Sequence, residues 1–369
     1  MKNRGQRKRW LARRGQAESR RVRVPAQKSN PLKPTTGLSG APSRILAGIL
    51  LLFCIAQEVA AQTIHDQQRE PKQLVIIDTD IGDDIDDAFA VGLAVQSPEF
   101  RILGITTAFG DTKLRARLAV RYTNVVGRGG IPVTAGIETA PKTKFTQAEY
   151  AEGGDAREVK PGSAPEFILE QIRKHPGEIT LIAIGPQTNL GAAIDKDATT
   201  FRKLKRIVMM GGSVYKGYKG GEPDPEWNVL CDISAAQKVF TSGVPLYVMP
   251  LDATILKVDQ QELAALFDYS SPLTKQLREL YREWGQPTPT LFDPMAVGYA
   301  ANPALCPTTP LHLTVDDKGF TRPESGAPNA QVCLKANTEA FYPFVLGRLE
   351  SPLRSATVLG ASAQVALAH

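Results

Sequence analysis

The sequence of 369 residues contains only four cysteines and four histidines. Cys231, Cys306 and Cys333 lie beyond the amino-terminal leader, so the sequence allows one disulfide but excludes a disulfide-rich framework. No spacing of cysteine and histidine is typical of a zinc site. The scarcity of histidine also leaves few candidates for imidazole-based acid–base chemistry.

A long hydrophobic run is also missing. The longest apolar segment, Ile45–Ala56, has 12 residues, whereas a membrane-spanning helix needs about 20. A basic segment precedes this run, and the small residues Val59 and Ala61 follow it, as in a secretory signal peptide. We therefore predict that residues 1–61 are a basic leader plus signal peptide. The protein is then exported, periplasmic or secreted, and has no stable membrane span after cleavage. An uncleaved membrane anchor is the alternative.

The excess of positive over negative charge is confined to the leader. The whole chain has a formal net charge of +6, but its first 44 residues carry 13 Lys or Arg and a single Glu. Residues 62–369 have a net charge of −5. A mildly acidic folded part argues against a nucleic-acid partner. A hydrophobic content of 42% and a charged content of 22% are typical of a soluble globular enzyme.

Short apolar runs alternate with amphipathic stretches from Gln73 onwards. The predicted strands are Leu74–Ile77, Ile102–Thr107, Ile131–Val133, Ile179–Ile184, Ile207–Met210 and Leu246–Met249. The predicted helices are Asp86–Gln96, Leu114–Val126, Phe167–Lys174, Asn189–Ile194 and Ile233–Thr241. This alternation predicts an α/β fold with a mainly parallel, Rossmann-like sheet and helices on both faces.

The rest of the chain has a different pattern. Helices predominate from Gln260 to about Ala300, and a closing helix is predicted at Glu339–Leu349. A late pair of strands, Leu311–Val315 and Gln331–Lys335, surrounds a turn-rich stretch. With no internal repeat and no linker, the sequence predicts one domain over residues 72–350 and a peripheral tail over 351–369.

The most informative segment follows the first predicted strand. Six carboxylates fall within ten residues: Asp78, Asp80, Asp83, Asp84, Asp86 and Asp87. Packed together without counter-charges they would repel one another strongly, and a hard divalent cation removes that conflict. Oxygen ligands favour calcium or magnesium over zinc. Helix capping accounts for one or two of these acids, but not for six. Gly82 allows a tight turn within the segment.

This segment resembles the amino-terminal signature of the nucleoside hydrolases, Asp-x-Asp-x-Gly-x-Asp-Asp. Asp78, Asp80 and Gly82 match, and two extra residues precede the Asp86–Asp87 pair, which leaves Asp84 as a competitor for one role. Four further segments are similar to family segments and occur in the family's order: 182–190, 209–212 with 226–232, 292–297 and 328–332. The resemblance covers about residues 73–350.

The resemblance implies the nucleoside-hydrolase fold and a calcium-dependent hydrolysis of the N-glycosidic bond of ribonucleosides or related ribosides. The implied metal ligands are Asp80, Asp87, Asp293 and the main-chain carbonyl of Ile184. Asp80 is also the implied general base. The implied substrate-binding residues are Asp86, Asp111, Glu226, Trp227 and Asn228, although Trp227 is equally compatible with a core position. The partner is then a small riboside in purine or pyrimidine salvage, and a homo-oligomer is compatible with the sequence.

Two departures from the family pattern affect the substrate and the mechanism. Asp111 replaces an Asn, and Phe292 stands where purine- and inosine-cleaving members have a His, so the sequence names no acid for the leaving group. One alternative is a non-catalytic, metal-dependent riboside- or sugar-binding protein. Another is a haloacid-dehalogenase-type phosphatase, which does not account for the segments around Glu226 and Asp293. The loop Tyr215–Gly221 lacks the ending of a phosphate-binding P-loop.

Overall fold

A computed structural model describes residues 71–160 and 162–351. The predicted leader and signal peptide, and all but the first residue of the predicted tail, lie outside these described residues. The folded unit begins at Lys72. Within the described ranges, no helix combines the length and apolar character needed to cross a membrane.

One nine-stranded sheet forms the centre of the fold. Its strands are β1 (Gln73–Thr79), β2 (Phe100–Thr107), β3 (Val133–Ala135), β4 (Ile179–Ala183), β5 (Arg206–Met210), β6 (Leu246–Met249), β7 (Thr308–Val315), β8 (Thr321–Glu324) and β9 (Ala330–Cys333). Their spatial order is β3-β2-β1-β4-β5-β6-β9-β7-β8. The pairings from β3 to β9 are parallel, and β7 and β8 add an antiparallel edge. The predicted α/β fold is therefore confirmed.

Twelve helices lie in the described part of the chain. They are α1 (Asp86–Gln96), α2 (Thr112–Val125), α3 (Ala148–Glu152), α4 (Ala164–Lys174), α5 (Thr188–Phe201), α6 (Trp227–Cys231), α7 (Ile233–Phe240), α8 (Leu251–Thr254), α9 (Gln260–Asp268), α10 (Pro272–Trp284), α11 (Pro294–Ala301) and α12 (Thr338–Glu350). Two short 3₁₀ helices occupy Ala156–Glu158 and Pro303–Leu305.

The helices cover the sheet in two groups. Leu74 and Ile76 of β1 belong to a buried apolar cluster with α4, α5 and α7. Val75 and Ile77 are equally buried but lie outside that cluster. Since successive strand residues point to opposite faces, the second face is the one covered by α1 and by α10, α11 and α12, which pack against α1.

Most bounds differ from the sequence prediction by a few residues, and three larger differences have a physical explanation. Helix α5 continues to Phe201, because the Asp197 carboxylate accepts the N–H of Thr200 at 2.9 Å and restarts the helix after a break. Strand β3 begins at Val133 and ends at Ala135. The stretch predicted to be turns contains β8, whose residues 322–324 are exposed and give no alternating apolar signal. Its Pro323 is tolerated because β8 is an edge strand.

A disulfide joins Cys306 to Cys333, at the end of β9. Cys231 is free and half-buried. One disulfide and one free cysteine agree with the sequence, which allows a single disulfide among these three residues.

Candidate metal and substrate site

The site lies where the strand connections change direction. From β1 the chain passes to β2 on one side, whereas β4, β5 and β6 follow on the other. Ligands of open α/β sheets bind at the carboxyl ends of the strands, at such a switch point. Asp80 directly follows β1, and Ile184 directly follows the neighbouring strand β4. The fold therefore brings together two residues that lie 104 positions apart in the sequence.

Three buried carboxylates form the centre of the site, which we call the acid cluster: Asp86, Asp87 and Asp293. One oxygen atom of each lies within 4.8 Å of the others. Asp86 and Asp87 open helix α1, and Asp293 precedes α11, with Pro294 in its first turn. The Asp293 side chain makes no capping hydrogen bond, so the ordinary N-cap interpretation does not account for this residue.

The acid cluster is electrostatically unfavourable by itself. Burial, followed by the neighbouring carboxylates, raises the pKa of Asp86, of Asp87 and of Asp293 well above the usual range. Burial also raises the pKa of Asp80 to about 7, while the nearby Arg115 lowers it. Asp80 in turn raises the pKa of the three acids of the cluster, and four buried acids so close together need a positive charge among them to remain ionised. An oxygen-ligated divalent cation fits this set.

The residues around the acid cluster fix its orientation. The Thr79 hydroxyl donates a hydrogen bond to Oδ1 of Asp87. The main-chain N–H of Asp293 donates to Oδ2 of Asp86 at 3.3 Å. Asp78 is fully buried behind the site, where its Oδ1 accepts the Asn189 side-chain amide at 2.8 Å and the Thr106 hydroxyl at 2.5 Å. Asp78 thus supports the loop from behind, and it does not line the pocket.

A cavity of about 450 Å³ opens onto the cluster, a volume within the range of small-molecule sites. One part of its lining is acidic and consists of Asp80, Asp83, Asp84, Asp86, Asp87, Glu226 and Asp293. The other part, which we call the aromatic wall, consists of Tyr218, Trp227, Trp284 and Phe292. A cavity lined both by carboxylates and by aromatic rings suits a ligand that joins a polyhydroxylated group to an aromatic ring.

Glu226 and Asn228 enter the cavity from the short helix α6. The Glu226 carboxylate accepts the N–H groups of Gly212 and Asn228, both at 2.9 Å, and that of Val229 at 3.3 Å. Burial raises the pKa of Glu226 to about 7, against the effect of these donors. The Asn228 side chain donates to the carbonyl of Met210 at 3.2 Å. Both side chains are therefore held rigidly at the end of β5.

Trp227 lies between these two residues and is half-buried. Its ring packs edge-to-face against Phe109, with 5.7 Å between the ring centroids. Phe109 has a left-handed backbone with φ of 64°, a conformation that costs energy for a residue with a bulky side chain. Trp227 lines the cavity, so it is not a core residue.

The structure does not bring every expected residue into the cavity. Asp111 is exposed at the N-cap of α2, where its carboxylate accepts the N–H of Leu114 at 2.9 Å, and it lines a separate depression. Asp86, expected to contact the sugar, lies in the acid cluster together with the expected ligands Asp87 and Asp293. Asp84 lines the cavity, but its Oδ1 accepts the N–H of Ile85 at 2.6 Å.

Several residues of the site were not identified from the sequence. Arg115 contacts the acidic loop, Trp284 ends helix α10, and Tyr218 projects from the loop before α6. Arg115 belongs to a helix rich in basic residues, in which nothing distinguishes it from its neighbours. Tyr218 lies in a loop whose sequence indicated only turns. Their placement depends on long-range contacts.

Known proteins are similar to this chain in fold and in sequence. The family model described as inosine-uridine preferring nucleoside hydrolase matches residues 75–343. Uridine nucleosidase 1 of Arabidopsis thaliana is 35% identical over 227 residues, which are 57% of this chain and 67% of that protein. The pyrimidine-specific ribonucleoside hydrolase RihA of Citrobacter koseri is 28% identical over 307 residues, covering 74% of this chain and 97% of that protein. A solved plant nucleoside hydrolase has a TM-score of 0.69 and 27% identity, covering 76% of this chain and all of that one.

Proposed function

Because this chain belongs to the inosine-uridine preferring nucleoside hydrolase family, it is a hydrolase of ribonucleoside N-glycosidic bonds, and we propose that it acts with a bound calcium ion. The observation that carries the proposal is the convergence of Asp86, Asp87 and Asp293 in one buried cluster. Family membership argues against the phosphatase alternative, because the range matched by the family model includes both the acidic loop and the segment around Asp293.

We propose that Asp80, Asp87, Asp293 and the main-chain carbonyl of Ile184 hold the ion. All four line the same cavity, and their donor atoms are oxygens, as calcium prefers. Asp84 is the competitor for one of these positions. When bound, the ion supplies Lewis-acid chemistry that lowers the pKa of water and orients the hydroxyl groups of a sugar.

The proposed role of Asp80 is that of general base. Its carboxylate is 7% exposed and lines the cavity beside the acid cluster, where it can accept a proton from the attacking water. The positive charge that develops on the sugar ring as the bond breaks is stabilised by the surrounding carboxylates. Asp86, Glu226 and Asn228 are the proposed contacts of the sugar hydroxyls.

Trp227 is the proposed stacking partner of the base, because its half-buried ring belongs to the aromatic wall. Asp111 is left out of the proposed substrate contacts, since its carboxylate caps α2 outside the cavity. The names of the two relatives above make uridine the first substrate to test. The signal-like segment at residues 45–61 supports a further part of the proposal, that the protein acts after export.

Product analysis tests the proposal. The purified full chain is incubated with uridine, cytidine, inosine and adenosine, in calcium, in magnesium and in EDTA, and the free base and ribose are separated by chromatography. We expect base release from at least one nucleoside, loss of activity in EDTA and recovery on adding calcium. Activity that persists in EDTA after dialysis contradicts the metal assignment. Calcium-dependent binding of a nucleoside without release of base contradicts the catalytic assignment and favours a binding protein.

A further inference from the structure

The aromatic wall contains a phenolic hydroxyl, that of Tyr218, suited to assist the departing base. When the bond between the sugar and the base breaks, its electron pair remains on the base, which then needs a hydrogen-bond donor. The carboxylates of the lining are needed in their ionised form for the ion, the attacking water and the sugar hydroxyls, and an ionised carboxylate donates no hydrogen bond. No histidine is among the residues that line the cavity in the described part of the chain. The donor must therefore come from another kind of side chain.

Tyr218 is held in place at both ends of the residue. The main-chain N–H of Tyr218 donates to Oδ2 of Asp224 at 2.8 Å. The hydroxyl oxygen of Tyr218 accepts the main-chain N–H of Trp227 at 2.9 Å. Its ring packs edge-to-face against Phe292, with 6.2 Å between centroids. The hydroxyl is thus positioned in the aromatic wall, and its role as acceptor is already filled by a main-chain group.

The proton of that hydroxyl remains available. The nearby carboxylate of Glu226 already receives three main-chain N–H groups. Burial, and then the charge of Glu226, raises the pKa of the Tyr218 phenol, so the group is protonated at neutral pH. A phenol that is fixed, neutral and free to donate is suited to stabilise negative charge on a ligand.

The other donors of the cavity lining are less suited. The hydroxyl groups of Thr143 and Thr146 donate to Oδ2 and to the carbonyl oxygen of Asp83, the latter at 2.6 Å. Asn228 donates to the carbonyl of Met210. Lys144 is exposed at the rim and is the one cationic side chain of the lining within the described residues. Lys144 is therefore one competing donor, and the indole N–H groups of Trp227 and Trp284 are the others.

We propose that Tyr218 is the catalytic residue that donates a hydrogen bond to the leaving base, an inference that rests on the proposed nucleoside hydrolysis. The bond between the sugar carbon and the base nitrogen breaks, and its electron pair stays on the base. Water supplies a hydroxyl group to the sugar carbon, and its proton passes to Asp80 and then to the solvent. The base, stabilised by the Tyr218 hydroxyl, takes up a proton from the solvent.

Two substrates with different leaving groups test this assignment in the full-length, calcium-loaded enzyme. Uridine needs help at the base, whereas p-nitrophenyl β-D-ribofuranoside releases a stable phenolate without it. We expect Tyr218→Phe to lower kcat for uridine by about 100-fold and kcat for the nitrophenyl riboside by only a few-fold. Tyr215→Phe is the matched control, since Tyr215 lies in the same loop with a similar exposure (52%, against 41% for Tyr218) but does not line the cavity. Tyr215→Phe should melt like the wild type, and Tyr218→Phe, which loses the hydrogen bond from the main-chain N–H of Trp227, should melt only slightly below it.

The results distinguish failure of the proposed nucleoside hydrolysis from failure of the role proposed for Tyr218. A wild type that cleaves neither riboside defeats the proposed function and this inference with it. If the wild type cleaves both and Tyr218→Phe slows both equally, or raises only KM, Tyr218 binds the sugar or shapes the loop, and the inference is overturned alone. It is also overturned if Tyr218→Phe leaves uridine cleavage unchanged, or if Lys144→Met, Trp227→Phe or Trp284→Phe shows the selective loss instead.

Discussion

Arg115 and Asp83 form a buried ion pair directly beneath the acidic loop. The guanidinium nitrogen Nη2 lies 2.9 Å from Oδ2 of Asp83, and the two side chains are 2% and 15% exposed. The same guanidinium donates to the carbonyl oxygens of Phe109 at 2.7 Å, of Ile81 at 3.1 Å and of Asp80. Arg115 thus fixes the backbone between β1 and α1. It also turns Asp83, one of the six acids of the loop, into an anchor for that loop.

Removing Arg115 should destabilise the protein and weaken its metal binding. Arg115→Met leaves the buried carboxylate of Asp83 without its partner, which typically costs about 3–5 kcal/mol of unfolding free energy. It also releases the loop that carries Asp80, so calcium affinity should fall. Denaturant unfolding and calcium titration calorimetry measure the two effects. Arg157→Met is the control, because the Arg157–Asp155 pair is exposed to solvent and should contribute little to stability. Equal effects of the two substitutions on stability and on calcium affinity would show that Arg115 does not support the site.

Asp80→Asn should abolish turnover while sparing the fold. The amide keeps the shape of the carboxylate but accepts no proton from water, so we expect kcat to fall at least about 100-fold. Initial rates and the melting temperature check both parts of this prediction. Asp111→Ala is the contrasting variant: it should lose about 1 kcal/mol of stability through the lost helix cap and retain its rate. Near-normal turnover in Asp80→Asn excludes Asp80 as the base.

Asp293→Asn should have opposite effects on the metal-free and metal-loaded protein. In EDTA the substitution relieves repulsion from Asp86 and Asp87, and no capping bond is lost, so the melting temperature should rise by about 2–6 °C. In calcium, the stabilisation that the wild type gains should be absent or greatly reduced. Thermal melting in the two buffers measures both effects. A variant that is still stabilised by calcium like the wild type shows that Asp293 is not a ligand.

Glu226→Gln should change how stability depends on pH. Burial raises the pKa of Glu226 from 4.5 to about 7, so the folded state binds the proton more tightly than the unfolded state. This contribution to stability is fully present below pH 4.5 and is lost as the pH rises through 7. Relative to Glu226→Gln, the wild type should therefore lose up to about 1 kcal/mol per pH unit across this window.

Denaturant unfolding in EDTA from pH 4.5 to 8 measures this difference without interference from metal binding. Glu138→Gln, at an exposed position, should leave the slope of the wild type unchanged. A wild type and a Glu226→Gln variant with parallel pH profiles would show that the folded and unfolded states hold the Glu226 proton equally well.

The sequence by itself determined the architecture and one half of the site. Alternation of apolar runs with amphipathic stretches specified the strand–helix order, because burial on one or both faces is encoded locally. Helix α1 and strand β6 have the predicted bounds. The six acids between Asp78 and Asp87 indicated a cation, since their mutual repulsion follows from proximity in the chain alone. Edge strand β8 was not predicted, because its exposed residues carry no periodic signal.

Only the tertiary structure decided which residues share the cavity. Asp293 joins Asp87 because α11 packs against α1, while Asp111 stays outside because its carboxylate is engaged in capping α2. Arg115 became visible through its hydrogen bond to the carbonyl of Asp80, 35 residues away, and Tyr218 through the packing of its ring against Phe292. The sequence determines which side chains are available for chemistry. The distances between them, on which that chemistry depends, are set by how the helices and loops pack against the sheet.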